Sequence, residues 1–169
     1  MIKNSFGIVA LAAAALVIRL QGASAQEAPR HADAESKLVI EHAEVIQAPS
    51  GAKMLAGYIT VWNGSKQQTD LVSVQSGNFA SVSLHRTEVV DGVAKMRPIE
   101  DGIVIPGHAE LLMKPGGIHM MLMGRTADFK PGDKVDLLLA FADGTSLSTM
   151  AITRPIGAKP TDHHHRSVD

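Results

Sequence analysis

The sequence predicts an all-β domain, either a β-sandwich or a partly closed barrel. Two observations carry that expectation. Short runs rich in β-branched and other apolar residues recur through the chain, and turn signals interrupt them about every ten residues. No long helical pattern and no internal repeat competes with this reading.

Strands are expected at 38–47, 55–62, 70–75, 81–90, 93–97, 109–113, 118–123, 135–140 and 146–153. Pro49-Ser50-Gly51 closes the first, and Asn63-Gly64-Ser65 closes the second just after Trp62, the only tryptophan. Asp91-Gly92 lies between Val90 and Val93 and is a strong two-residue hairpin signal. Pro106-Gly107 precedes the sixth strand, and Pro115-Gly116-Gly117 separates it from the seventh. Pro131-Gly132-Asp133 and Asp143-Gly144 bound the eighth.

The ends read differently. Lys3, an apolar run up to Ile18 and Ala23-Ser24-Ala25 form the pattern of a secretory signal peptide, with cleavage expected after Ala25. Such a run is too short to span a bilayer, which takes about 20 residues. Removing residues 1–25 leaves 144, a length suited to one domain with its own core. Residues 26–36 are polar and small and are expected to form a flexible leader, and residues 157–169 a disordered tail. Without Lys3 and Arg19, 14 basic and 17 acidic residues leave a net charge of −3, which gives no reason to expect nucleic acid or an anionic membrane as partner.

Cysteine is absent. This excludes a disulfide framework, a lipid on an N-terminal cysteine and a blue-copper centre, which needs a thiolate. A soluble periplasmic protein is therefore expected after cleavage. Any metal site must use His, Met, Asp or Glu. Eight methionines are present, and Met113, Met120, Met121 and Met123 fall within eleven residues.

Two segments each offer a histidine and a methionine on one face. Side chains alternate along a strand, so His119, Met121 and Met123 share a face, while Ile118, Met120 and Leu122 point the other way. In the second segment, the Asp91-Gly92 turn pairs position 90 with 93 and so sets Met96 opposite Thr87 and His85 opposite position 98. His85 and Met96 then become diagonal neighbours about 7–8 Å apart. A slip of one residue would part them. Soft thioethers select Cu(I), and both ligand types are neutral. Catalytic zinc prefers His and carboxylate, and no H-E-x-x-H occurs. A metal-free reading, with the methionines as core filler in a β-sandwich binding module, stays open on spacing alone.

Ten residues separate His85 from Met96 and twenty-two separate Met96 from His119-Met120-Met121. This arrangement resembles the periplasmic copper chaperones of the PCuAC family, whose signature is a His, ten residues, a Met, about twenty-one residues and then His-x-Met. Asp91-Gly92-Val93, Met96-Arg97-Pro98, Lys114-Pro115-Gly116-Gly117-Ile118-His119 and Met121-Leu122-Met123-Gly124 also match. Weaker likeness runs from about Ile40 to Pro155.

The resemblance implies a cupredoxin-like β-barrel or sandwich, a single copper-binding domain over residues 37–156, and one Cu(I) on His85, Met96, His119 and Met121. It implies a carrier and not an enzyme, delivering copper toward a cytochrome c oxidase subunit or a Sco-type protein. Copper storage or tolerance is the alternative. Many relatives carry extra methionines near the first His and before the hairpin Met, where this chain has Arg86-Thr87 and Ala94-Lys95. His163, His164 and His165 form a short tract suited to Cu(II). Met113 and Met123 are expected to pack, His108 to be a solvated turn residue, and His42 to be exposed or hydrogen-bonded.

Overall fold

The computed structural model describes residues 37–49 and 51–160. The expected signal segment, the leader and the histidines at 163–165 lie outside the described residues. Ten strands and no helix occur among those described: β1 Leu38–Ile46, β2 Met54–Asn63, β3 Thr69–Gln75, β4 Phe79–Val90, β5 Val93–Pro98, β6 Ile103–Ile105, β7 Ala109–Leu112, β8 Ile118–Arg125, β9 Lys134–Phe141 and β10 Ser146–Arg154. Nine match the expected strands. The additional one, β6, has three residues between Gly102 and Pro106-Gly107, too short a run to stand out from its turns.

The strands form one sheet in the order β5-β4-β8-β2-β1-β10-β9-β3-β6, with β7 paired to β2. Only β1 and β10 run parallel among these pairings. The sheet curls on itself, so that β3 lies against β4 and β6 against β7. Its inner face forms the core. Val135, Leu137, Leu139 and Phe141 alternate inward along β9, and Met120 and Leu122 do so along β8. Burying each such side chain stabilises the fold by about 1.5–3 kcal/mol.

The β4–β5 hairpin has the expected register. Asp91 and Gly92 have φ of 53° and 76°, the positive values of a type I′ turn. Val90 pairs with Val93, Thr87 with Met96 and His85 with Pro98.

Strands β7 and β8 are two halves of one edge partner of β2. β7 pairs with Thr60–Asn63 of β2, and β8 with Met54–Gly57. Between them the chain steps out in a turn. Gly117 N–H donates to Lys114 O at 3.0 Å, and Gly116 has φ of 76°. Proline at the second position and a positive-φ glycine at the third suit a type II turn.

Buried Asn63 holds the opposite end of β2. Its amide nitrogen donates to the carbonyls of Gln67 (2.8 Å), Ile105 and Pro106 (both 3.1 Å). Its Oδ1 accepts from Ser65 N–H at 3.1 Å and from Ser65 Oγ at 2.8 Å. One side chain thus ties β2, the following turn and the end of β6. Replacing Asn63 with Ala leaves several of these groups unpaired and should destabilise the protein by about 3 kcal/mol. Urea denaturation of the variant checks this; a loss below about 0.5 kcal/mol, the range of ordinary surface changes, would mean that water replaces the amide without penalty.

Candidate metal centre

The outer face of β4, β5 and β8 gathers the four expected ligands. His85 of β4 stands directly opposite His119 of β8, and Ser83 stands opposite Met121. Met96 of β5 stands opposite Thr87, diagonal to His85. Opposite residues of an antiparallel pair share a face, so His85, Met96, His119 and Met121 form one cluster. The imidazole ring centres are 5.9 Å apart, and the planes differ by 29°. Met120, between two of these residues, is fully buried on the inner face.

Each imidazole uses one nitrogen to fix its ring and leaves the other bare. His119 Nδ1 donates to Gly117 O at 3.0 Å. A carbonyl only accepts, so in the neutral ring the proton sits on Nδ1 and Nε2 keeps its lone pair. Nε2 is buried and has no protein partner. His85 Nε2 and Ser83 Oγ share a hydrogen bond of 3.0 Å, while buried His85 Nδ1 has no protein partner. With Ser83 Oγ accepting from Nε2–H, the Nδ1 lone pair is bare as well. Holding a histidine by its second nitrogen is how metal sites set tautomer and ring orientation.

Gly117 O also accepts from Thr87 N–H at 3.1 Å. The same carbonyl therefore orients His119 and clamps β4 to the turn before β8. Sequence reasoning missed both supporting groups. Ser83 lies two residues before His85 and shares its face, so alternation could have found it. The Gly117 carbonyl leaves no sequence signal.

A groove of about 430 Å³ opens beside the cluster. Met54, Met96, His119 and Met121 line it, together with Tyr58, Pro115 and Gly116, and among the described residues no carboxylate or cationic Lys or Arg side chain does. Exposure rises outward, from 5% at His119 to 53% at Met96. Gly157 and Ala158, the first residues of the expected tail, are described and form part of the wall. Among the described residues, no group of three or more His, Asp or Glu side chains could hold a metal. The donors present are two neutral nitrogens and two thioethers, a soft set that fits Cu(I).

The other candidates separate cleanly. Met113 is 2% exposed and belongs to the core. Met123 is half-buried on the ligand face, opposite Met54. His108 is exposed in a turn with φ of 52°, and its N–H donates to Ser65 O at 3.0 Å. His42 lines a different cavity with Glu44 and Tyr58. Half-buried Trp62 stands between Val39 and Glu110 of the neighbouring strands.

The sequence model of the family described as "Putative lipoprotein LpqE-like" matches residues 38–153. The chain belongs to the LpqE-like family. A relative from Leifsonia xyli subsp. xyli, "Putative lipoprotein Lxx21020", is 32% identical to this LpqE-like chain over 92% of it and 93% of the relative. "Uncharacterized protein RP573" of Rickettsia prowazekii is 30% identical over 53% of this chain and 50% of its own. Among solved structures, Cu(I)-bound DR1885 of Deinococcus radiodurans is 29% identical, with a TM-score of 0.56 over 80% of this chain and 85% of that one. The copper-bound PCuAC domain from PmoF2 is 23% identical, with a TM-score of 0.57 over 70% and 92%, a likeness of fold. The LpqE-like chain thus has the cupredoxin-like, all-β, single-domain fold.

Burial first, and the facing His119 ring second, hold the His85 imidazole below the ordinary histidine range. The unfolded chain takes up that proton near pH 6.5, the folded metal-free protein only at lower pH. Between those values the unfolded state binds more protons, so stability falls as pH falls. Urea midpoints of the metal-free protein should drop as pH is lowered through the imidazole range, and less steeply for His85→Asn. Identical slopes for the two proteins would remove His85 as the source.

Proposed function

We propose that this chain is a periplasmic Cu(I) chaperone. It holds one copper on His85, Met96, His119 and Met121 and delivers it toward assembly of the copper sites of cytochrome c oxidase. The observation that carries the reading is the pair of bare, buried nitrogens, His85 Nδ1 and His119 Nε2, beside the two thioethers. The copper-bound forms of DR1885 and the PmoF2 domain support it. The signal-like residues 1–25 and the lipoprotein descriptions of the relatives support export.

Each group has a part in carrying the ion. The imidazoles supply preset nitrogens, His85 Nδ1 and His119 Nε2, that have no protein partner. Met121 closes the site from β8, and exposed Met96 from the hairpin. Thioethers are neutral and soft, so the ion stays held without carboxylates that would attract harder cations. Release requires ligand exchange, and Met96 is the ligand that an acceptor reaches first. The acceptor proposed is a cytochrome c oxidase subunit or a Sco-type protein. No catalytic step is assigned. His163, His164 and His165 are proposed to take Cu(II), on the affinity of imidazole for that ion.

A titration under reducing conditions tests the reading. Wild-type protein should bind one Cu(I) tightly, with nitrogen and sulfur both seen by X-ray absorption. Met96→Ala or Met121→Ala should weaken Cu(I) at least about tenfold, some 1.4 kcal/mol, while leaving weak Zn(II) binding nearly as it was. Absorption spectra with only nitrogen and oxygen neighbours would exclude the methionines as ligands. Copper that stays bound in the presence of an apo Sco-type protein would leave the site and refute that delivery.

A further inference from the structure

A third methionine opens onto the same groove. Met54 begins β2 and is 46% exposed, while the next residue, Leu55, is 5% exposed in the core. An outward strand position in a soluble domain ordinarily carries a polar side chain. Met54 instead lines the groove with Met96, His119 and Met121.

The register adds a fourth. Met54 stands directly opposite Met123, and Ala56 opposite Met121. On the other side of β8, Ser81 stands opposite Met123 and Ser83 opposite Met121. Met54, Met121 and Met123 thus occupy three corners of a small rectangle on one face. Directly opposed Cβ atoms lie about 5 Å apart and next-but-one neighbours on a strand about 6.5–7 Å. Ala56, Ser81 and Ser83 leave room above the strands. Methionine has three rotatable side-chain bonds, so three sulfurs at these positions can converge on one ion. Core packing accounts for Met113 and Met120, which are 2% and 0% exposed, but not for Met54.

We propose that Met54 and Met123, together with Met121, form a second, weaker Cu(I) site that adjoins the His/Met site and shares Met121 with it. The inference rests on the proposed function and extends it. Copper passes between the two sites as Met121 exchanges its partners: the ion leaves the imidazoles for thioethers nearer the rim, and from there an acceptor's ligands. No redox step and no proton transfer is involved, because every donor is neutral and the ion remains Cu(I). A run of soft ligands spares the ion a fully hydrated intermediate, so exchange is faster than from the four-ligand site alone.

The test uses full-length protein labelled at the methionine methyl carbons and titrated anaerobically with Cu(I), or with redox-inert Ag(I), under NMR observation. The first equivalent should shift the Met96 and Met121 methyl signals. The second should shift those of Met54 and Met123 and move Met121 again. Buried Met113 and Met120 report that the fold is intact. In a Met54→Leu/Met123→Leu variant, which roughly conserves volume, Met121 should respond to the first equivalent only, and Cu(I) should pass to a competing chelator several-fold more slowly. Met54 and Met123 signals that stay put through the second equivalent, with Met96 and Met121 responding to the first, overturn the second site and leave the chaperone reading standing. Met96 and Met121 signals that ignore the first equivalent overturn both.

Discussion

The pairing of β4 with β8 sets His85 opposite His119, and the proposed metal centre depends on that register. The same alignment places Leu84 opposite Met120 and Val82 opposite Leu122, on the inner face. Core and site are thus alternate residues of the same two strands. A slip of one residue would turn Leu84 outward and His85 inward. Exposing Leu84 alone would lose about 2 kcal/mol of burial, and an imidazole would enter an apolar core. The hydrophobic core therefore fixes the positions of the proposed ligands.

A second constraint acts on the backbone. β7 and β8 pair with successive stretches of β2, and the chain steps out between them. That step presents the Gly117 carbonyl to both His119 Nδ1 and Thr87 N–H. One acceptor sets a ring's tautomer and joins the hairpin to β8. The Pro115-Gly116 pair makes the turn possible, since Gly116 adopts a positive φ that a side chain would oppose. In the proposed carrier, the oriented nitrogen pair would hold the ion and the exposed thioether of Met96 would exchange it.

The neutrality of the groove matters as much as its shape. Among the described residues no carboxylate lines it, and burial favours the uncharged form of His85. Burying an unpaired charge or polar group is unfavourable, so the two bare nitrogens make the metal-free site a receptive one for a soft cation. Carboxylates in their place would favour harder ions. The outward-facing methionines, Met54 among them, extend that soft character along the rim.

Several features were legible in the residues themselves. Apolar runs cut by turn signals determined nine of the ten strands, and Asp91-Gly92 determined the hairpin register, because a type I′ turn admits one pairing. Alternation then set His85 with Met96, and His119 with Met121, on common faces. The three-residue β6 was lost between its turns, being too short to carry a period. Tertiary structure alone decided that the two His/Met pairs meet, since β4 and β8 are joined by no turn whose geometry could fix their register. It alone brought Met54 opposite Met123 from nearly seventy residues away, and placed Gly157 and Ala158 on the groove wall. The Gly117 carbonyl was beyond sequence for a simpler reason: every residue carries such an oxygen, and only the folded chain determines which one an imidazole finds.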